Sequence, residues 1–186
     1  MELIVGVAAA LSTLAWQPSN LTDAVQLGIW IVISGLFVAL AVYDLRWMLL
    51  PNRLLKALLG VVIVFLLTQA FSGALLASWL VDPLIGASGA LALFYGLHVL
   101  GRGAWMGGGD VKLVFILGLL LGWQLMALGL LLAFNLAAVI SLLLIGLGWR
   151  SRQDLIPFGP FLLLGAWIAL LWGEGIVDWY LRLSGL

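Results

Sequence analysis

Two carboxylates stand where an apolar chain has least use for them. Asp44 lies in the stretch Tyr43-Asp44-Leu45-Arg46, shortly before the pair Pro51-Asn52, and Asp110 follows three consecutive glycines, Gly107, Gly108 and Gly109, with Lys112 two residues on. An Asp at the centre of a membrane helix costs about 2.5 to 3.5 kcal/mol on insertion scales and less near an end, so such residues are kept for function or pairing. Singly, each has a plain explanation. Asp110 reads as a polar helix start favoured by the dipole, and Asp44 as a juxtamembrane partner of Arg46. The glycines lack the Gly-Lys-Ser/Thr that a phosphate loop needs, so nucleotide binding is a poor reading. Together the two carboxylates can do more. Brought within hydrogen-bond range they cannot both ionise easily and would titrate as a coupled pair. One then acts as base on a water while the other, protonated, polarises a peptide carbonyl. That is aspartyl proteolysis, with no metal, cysteine or serine. Gly107 to Gly109 would let a substrate backbone come close to Asp110 and let the local helix open.

The elements that must position this pair follow from composition. The chain has 186 residues, 65% of them hydrophobic and 9% charged, with a mean hydropathy of +1.26, where a soluble domain is about a quarter charged. It is an integral membrane protein. Apolar runs of about 17 to 25 residues give six spans: Val25 to Tyr43, Leu54 to Phe71, Leu84 to Leu100, Val111 to about Leu125, about Ala127 to Leu147, and Phe161 to Gly173. The fourth and fifth are nearly continuous, with a turn expected near Trp123 and Gln124. Backbone groups in lipid must be satisfied internally, so these runs read as helices. The fold class is an all-α polytopic helical bundle, one membrane-embedded domain over residues 1–186 with its core at 25–173. Residues 1–16 form a short apolar segment without the basic start of a secretory signal, so it is expected to be retained. There is no cysteine, hence no disulfide, thiolate metal site or cysteine nucleophile.

Charge orients the bundle. Arg46, Arg53 and Lys56 follow the first span, Arg102 and Lys112 lie between the third and fourth, and Arg150 and Arg152 between the fifth and sixth. These are seven of the eight basic residues, on alternate loops of one side, which the positive-inside rule makes cytoplasmic. The opposite loops carry Asp23, Asp82, Glu174 and Asp178. Both Asp44 and Asp110 fall on the cytoplasmic side. Most of the ten tryptophans fall near helix ends, as in aromatic belts. His98, the single histidine, reads as a hydrogen-bonded bundle residue. Lys112 either tunes the carboxylates electrostatically or snorkels to the interface. Pro157 to Pro160 reads as a rigid entry to the last span.

Three stretches carry a family resemblance. Tyr43 to Leu54 (YDLRWMLLPNRL), Gly107 to Gly122 (GGGDVKLVFILGLLLG) and Ile156 to Ala166 (IPFGPFLLLGA) together resemble the type IV prepilin peptidases, membrane aspartyl proteases of the GxGD kind. The resemblance covers about residues 25–173 and rests on the order and spacing of the blocks. It implies cleavage of the basic leader of a prepilin or pseudopilin, just after a glycine, at the cytoplasmic face of the bacterial inner membrane. Asp44 and Asp110 then become the catalytic pair, and Gly107, Gly108, Gly109, Lys112, Pro51 and Asn52 the groups that approach substrate or tune the pair. By analogy with other GxGD proteases, the Pro157 to Pro160 turn is expected near the substrate strand. Many family members also carry a cytoplasmic domain with two zinc-binding Cys pairs and methylate the new amino terminus with S-adenosylmethionine. This chain has neither the cysteines nor that domain, so neither zinc nor methyl transfer is expected. The implied partners are the prepilin substrate and the lipid bilayer, with no nucleic acid, no cofactor and no metal. No pattern assigns an oligomeric state.

Three rival readings use the same pair. A magnesium-dependent enzyme acting on lipid phosphates would employ Asp44 and Asp110 as ligands, though no denser acidic cluster accompanies them. A proton-coupled transporter would also use membrane carboxylates, but at mid-bilayer. A presenilin-like or signal-peptide-peptidase-like protease shares the YD and GxGD pairing, whereas Pro51-Asn52, the Asp-Val-Lys run and the PFGP context favour the prepilin branch.

Overall fold

The computed structural model describes residues 21–71, 75–103, 105–149, 151, 154 and 156–184. The short apolar segment at 1–16 and the basic residues Arg150 and Arg152 lie outside these. The described residues form helices and connections, with no strand among them. In chain order the helices are α1 Leu21–Trp47, α2 Asn52–Phe71, a π-helical turn Ala77–Val81, α3 Asp82–Leu100, α4 Gly108–Gly146 and α5 Gly159–Ser184. Among the described residues, five helical segments are long and apolar enough to cross a membrane, so the all-α polytopic architecture stands.

The count of five, against six expected spans, is settled at one residue. The expected fourth and fifth spans are a single run of helix interrupted only at Gly122, whose φ of 72° and ψ of −179° belong to a region open essentially to glycine. The turn expected near Trp123 and Gln124 thus falls slightly earlier. Gly118, before the break, lies against Ala87 and Gly86 of α3. Phe134, twelve residues after the break, stacks near Phe94 of the same helix, with ring centroids 6.1 Å apart. A straight helix could not touch α3 at both places, so α4 folds back at Gly122 and the described residues make six antiparallel runs. Trp123 N–H donates to Asp82 Oδ1 at 3.2 Å, capping the returning arm in the manner of an Asp N-cap. The last helix also outruns its expected end at Gly173, because the polar residues beyond it remain helical to Ser184.

Small residues let the arms approach closely, as is common between membrane helices. A methyl group built on Gly118 would sit 2.5 Å from the Ala87 Cα, and one on Gly86 2.6 Å from the Gly122 carbonyl carbon. Between the returning arm and α5, Gly165 abuts Gly129 and Ala133. α1 presents one face to this centre. Ile33, Phe37, Leu40 and Asp44, spaced four, three and four residues apart, are all buried, the pattern of one helix stripe. On α4 the same spacing joins Asp110 to the buried Val114, Leu117 and Leu121. Each carboxylate is therefore the terminal member of an otherwise apolar stripe.

Replacing Gly122 by Ala should lower stability by roughly 1 to 3 kcal/mol, from backbone strain and collision with the Asp82 carboxylate. Gly28→Ala, at a glycine with open space around it, should be neutral or stabilising. Thermal unfolding of the two variants in detergent, read by loss of helical signal, checks the contrast.

Candidate active site

The α1 stripe delivers Asp44 to the end of its helix with only 5% of its surface exposed. A buried carboxylate needs hydrogen-bond compensation, and it comes from far along the chain. Gly159 N–H donates to Asp44 Oδ2 at 3.0 Å. Gly159 is the first residue of α5, and Pro160 follows it in the first turn, where proline is tolerated because its missing N–H has no intrahelical role. The N–H groups of a first turn have no partners within their own helix. Asp44 takes up one of them and faces the positive end of the α5 dipole.

Asp110 is placed by the start of α4. Gly107 is the N-cap residue, with extended backbone (φ −70°, ψ 143°), which puts Asp110 at the third helical position. Its carboxylate hydrogen-bonds back to the Gly107 backbone N–H, as in half of a capping box. This realises part of the plain explanation, a polar helix start, but uses only part of the group. Asp110 Oδ1 is buried and has no hydrogen-bond partner among the described residues. A methyl group on Gly159 would lie 2.5 Å from Asp44 Oδ2 and 3.6 Å from Asp110 Oδ1. The two carboxylates therefore face each other across the space that a side chain at position 159 would fill.

The glycines of the triplet divide the work. Gly109 sits under Leu50, whose Cβ is 3.0 Å from where a Gly109 methyl would be, whereas Gly108 opens onto space with nothing within 4 Å. Leu50 belongs to the connection between α1 and α2, which leaves α1 through Met48 at a φ of 50°. Pro51 caps the following helix with its carbonyl, which accepts the Leu55 N–H at 3.1 Å. Lys112 Nζ donates to Asn52 Oδ1 at 2.9 Å. His98 contacts the Met106 carbonyl through Nδ1 at 2.7 Å, tying the end of α3 to the loop before the glycines.

The structure thus brings together Asp44, Asp110 and the glycine triplet at one end of the bundle, with Pro51, Asn52 and Lys112 at its edge. Gly159 is the participant that sequence reasoning missed. Its signal was a glycine between two prolines at a helix start, in a turn read as a rigid entry and, by analogy, as a neighbour of the substrate strand, but not as a partner of Asp44. A cavity of about 650 Å³ lined by Trp30, Trp79, Asp82, Trp167 and Glu174 among others lies at the Gly122 end of α3, remote from the carboxylates. Among the described residues no group of three or more His, Cys, Asp or Glu is placed to hold a metal ion.

Comparison with known proteins adds the family. A model described as the type IV leader peptidase family matches residues 30–143, a region that contains both Asp44 and Asp110. The chain belongs to the type IV leader peptidase family. Similar relatives are named prepilin leader peptidase/N-methyltransferase. The one from Aeromonas hydrophila is 36% identical over 97% of this chain and 60% of its own length. That from Legionella pneumophila is 36% identical over 83% and 52%, and that from Bacillus subtilis 27% identical over 83% and 59%. The chain thus spans between half and three fifths of the length of these leader peptidase relatives. No solved structure matches it at a significant level.

Gly159→Ala is expected to push Asp44 off its donor and to cost about a hundredfold in any activity that needs both carboxylates, since misplacement by about 1 Å has that effect. Circular dichroism should show the helix content unchanged. Activity within twofold of wild type would contradict this placement.

Proposed function

We propose that the protein is an aspartyl endopeptidase that removes the basic leader of type IV prepilins or pseudopilins, cutting after a glycine at the cytoplasmic face of the bacterial inner membrane. The observation that carries the reading is the convergence of Asp44 and Asp110 on Gly159, with Asp110 Oδ1 buried and unpartnered among the described residues. Two carboxylates so disposed hold one proton between them. One takes a proton from water as that water attacks the scissile carbonyl carbon, and the other lends a proton to the carbonyl oxygen. Collapse of the tetrahedral intermediate breaks the C–N bond, the proton taken from water passes to the departing amine, and a hydroxyl of the intermediate returns its proton to the other carboxylate, which readies the pair for another turn.

Other features support the same reading. The family match is to leader peptidases, and relatives carry prepilin in their names. Arg46, Arg53, Lys56, Arg102 and Lys112 cluster in sequence at the helix ends that hold the pair, the distribution expected of a cytoplasmic face. Gly108, open to space beside Asp110, leaves room for an extended substrate backbone. The assignment concerns the peptidase reaction; methyl transfer is no part of it.

Cleavage of a prepilin in membranes should fall by about a thousandfold or more in Asp44→Asn and in Asp110→Asn, as for residues that act as one catalytic unit. The double variant should be no worse than either single one, and EDTA should have no effect. Full activity in either variant, or abolition by the chelator, would sink the aspartyl mechanism and favour a metal-dependent one.

A further inference from the structure

The connection from α1 to α2 runs from Met48, shortly after Asp44, to Pro51, just before Asn52 opens α2, and together with Asn52 it touches the Asp110 helix at two points. Leu50 lies on Gly109, and Asn52 Oδ1 accepts from Lys112 Nζ at 2.9 Å. Lys112 has little reason to stand where it does on grounds local to α4. It is a cation in the early turns of a helix, near the positive end of the dipole. Residues two apart on a helix point to different sides, so Lys112 does not face the site alongside Asp110. Asn52, at the start of α2, belongs to a residue type favoured at helix starts for capping its own backbone. Its carbonyl oxygen is given instead to another helix. Both groups are exposed, and an exposed hydrogen bond adds little to global stability. What it fixes is geometry, because the strap it closes leaves the helix that ends near Asp44 and lies on the helix that begins near Asp110.

We propose that Lys112 and Asn52 form a latch that holds the strap Met48–Pro51 against the Asp110 helix and so sets the approach of Asp44 to Asp110, which makes Lys112 a positioning residue. This rests on the reading of the two carboxylates as the catalytic pair. The latch differs from both roles open to Lys112 in the sequence, electrostatic tuning and snorkelling. Tuning would require the charge alone, and snorkelling the long apolar stem alone. The latch requires a donor on one helix and an acceptor on the other.

The test is a double-mutant cycle on the whole protein in membranes, with prepilin as substrate. Lys112→Met, which keeps the stem, and Asn52→Ala should each lower kcat about tenfold with KM within about twofold, and the double variant should lose no more than the worse single one. Asn52→Asp, which retains an acceptor, should keep near-wild-type kcat. Multiplicative losses in the double variant, or a raised KM with kcat unchanged, would overturn the proposal, the latter by making Lys112 a substrate-binding group. A second measurement needs no catalysis. The chain lacks cysteine, and a Cβ at Gly109 would be 3.0 Å from the Leu50 Cβ, close to the disulfide range of about 3.5 to 4.5 Å. Leu50→Cys with Gly109→Cys should therefore cross-link on mild oxidation, measured by loss of maleimide labelling, and about tenfold more slowly when Lys112→Met is added. Equal rates would remove the latch even in an active enzyme. Lys112-dependent cross-linking in a chain whose wild type leaves prepilin uncut would remove the functional reading and leave the latch.

Discussion

The hydrogen bond from the Gly159 backbone to the Asp44 carboxylate is the constraint on which the rest of the site depends. A carboxylate at the end of an apolar stripe has to be compensated once it is covered. The cheapest compensation is an N–H that has no partner of its own, and the start of a helix provides one. Using it fixes where α5 begins, since Gly159 must lie against Asp44, and fixes what residue 159 can be. Asp110 then faces the same glycine from the other side with one oxygen held by its own helix cap and the other left over. One bare backbone position, supplied by neither of the two carboxylate helices, sets the distance between the two carboxylates.

The packing of the bundle serves the same end. α4 turns back at Gly122 because Asp82 occupies the space a side chain would need there and caps the returning arm in the same contact. The returning arm brings Phe134 to within 5.0 Å, ring centroid to centroid, of Phe158, and Phe158 also meets the fully buried Phe94. These three rings, one from each of α3, the returning arm and the turn before α5, wedge the residue next to Gly159. Aromatic clusters of this kind hold position through many weak contacts of fixed geometry. The donor to Asp44 is thus held from behind by apolar surface drawn from two other helices.

Much of this was legible in the sequence. The length and polarity of the apolar runs give the helices, because lipid leaves the backbone no other way to satisfy itself. Asp44 and Asp110 stand out because charge in such a chain is costly. The break in α4 was harder to read: Gly118, Gly122 and Gly129 look alike in one dimension, and only the carboxylate of Asp82, brought in by another helix, singles out Gly122. Asp82 itself read as one acid of an outer loop, its capping role invisible without its partner. Gly159 was hidden for a related reason, in that its contribution is a backbone N–H, which every residue type but proline possesses. Lys112 and Asn52 stand close in sequence to the two carboxylates, but their mutual contact is a property of how α2 and α4 meet.

The arm of α4 that bears Asp110 runs only from Gly108 to Leu121 before the break. At 1.5 Å per residue it is about 21 Å long, well short of the roughly 30 Å of hydrocarbon in a typical bilayer. With its far end fixed at the Gly122 turn, the near end cannot reach the opposite surface unless the lipid gives way. A membrane accommodates so short a segment by thinning around it. Where lipid thins to match a segment this short, the polar boundary comes closer to the end that bears Asp110. The length of one half-helix thus ties the depth of Asp110 to the thickness of the surrounding membrane.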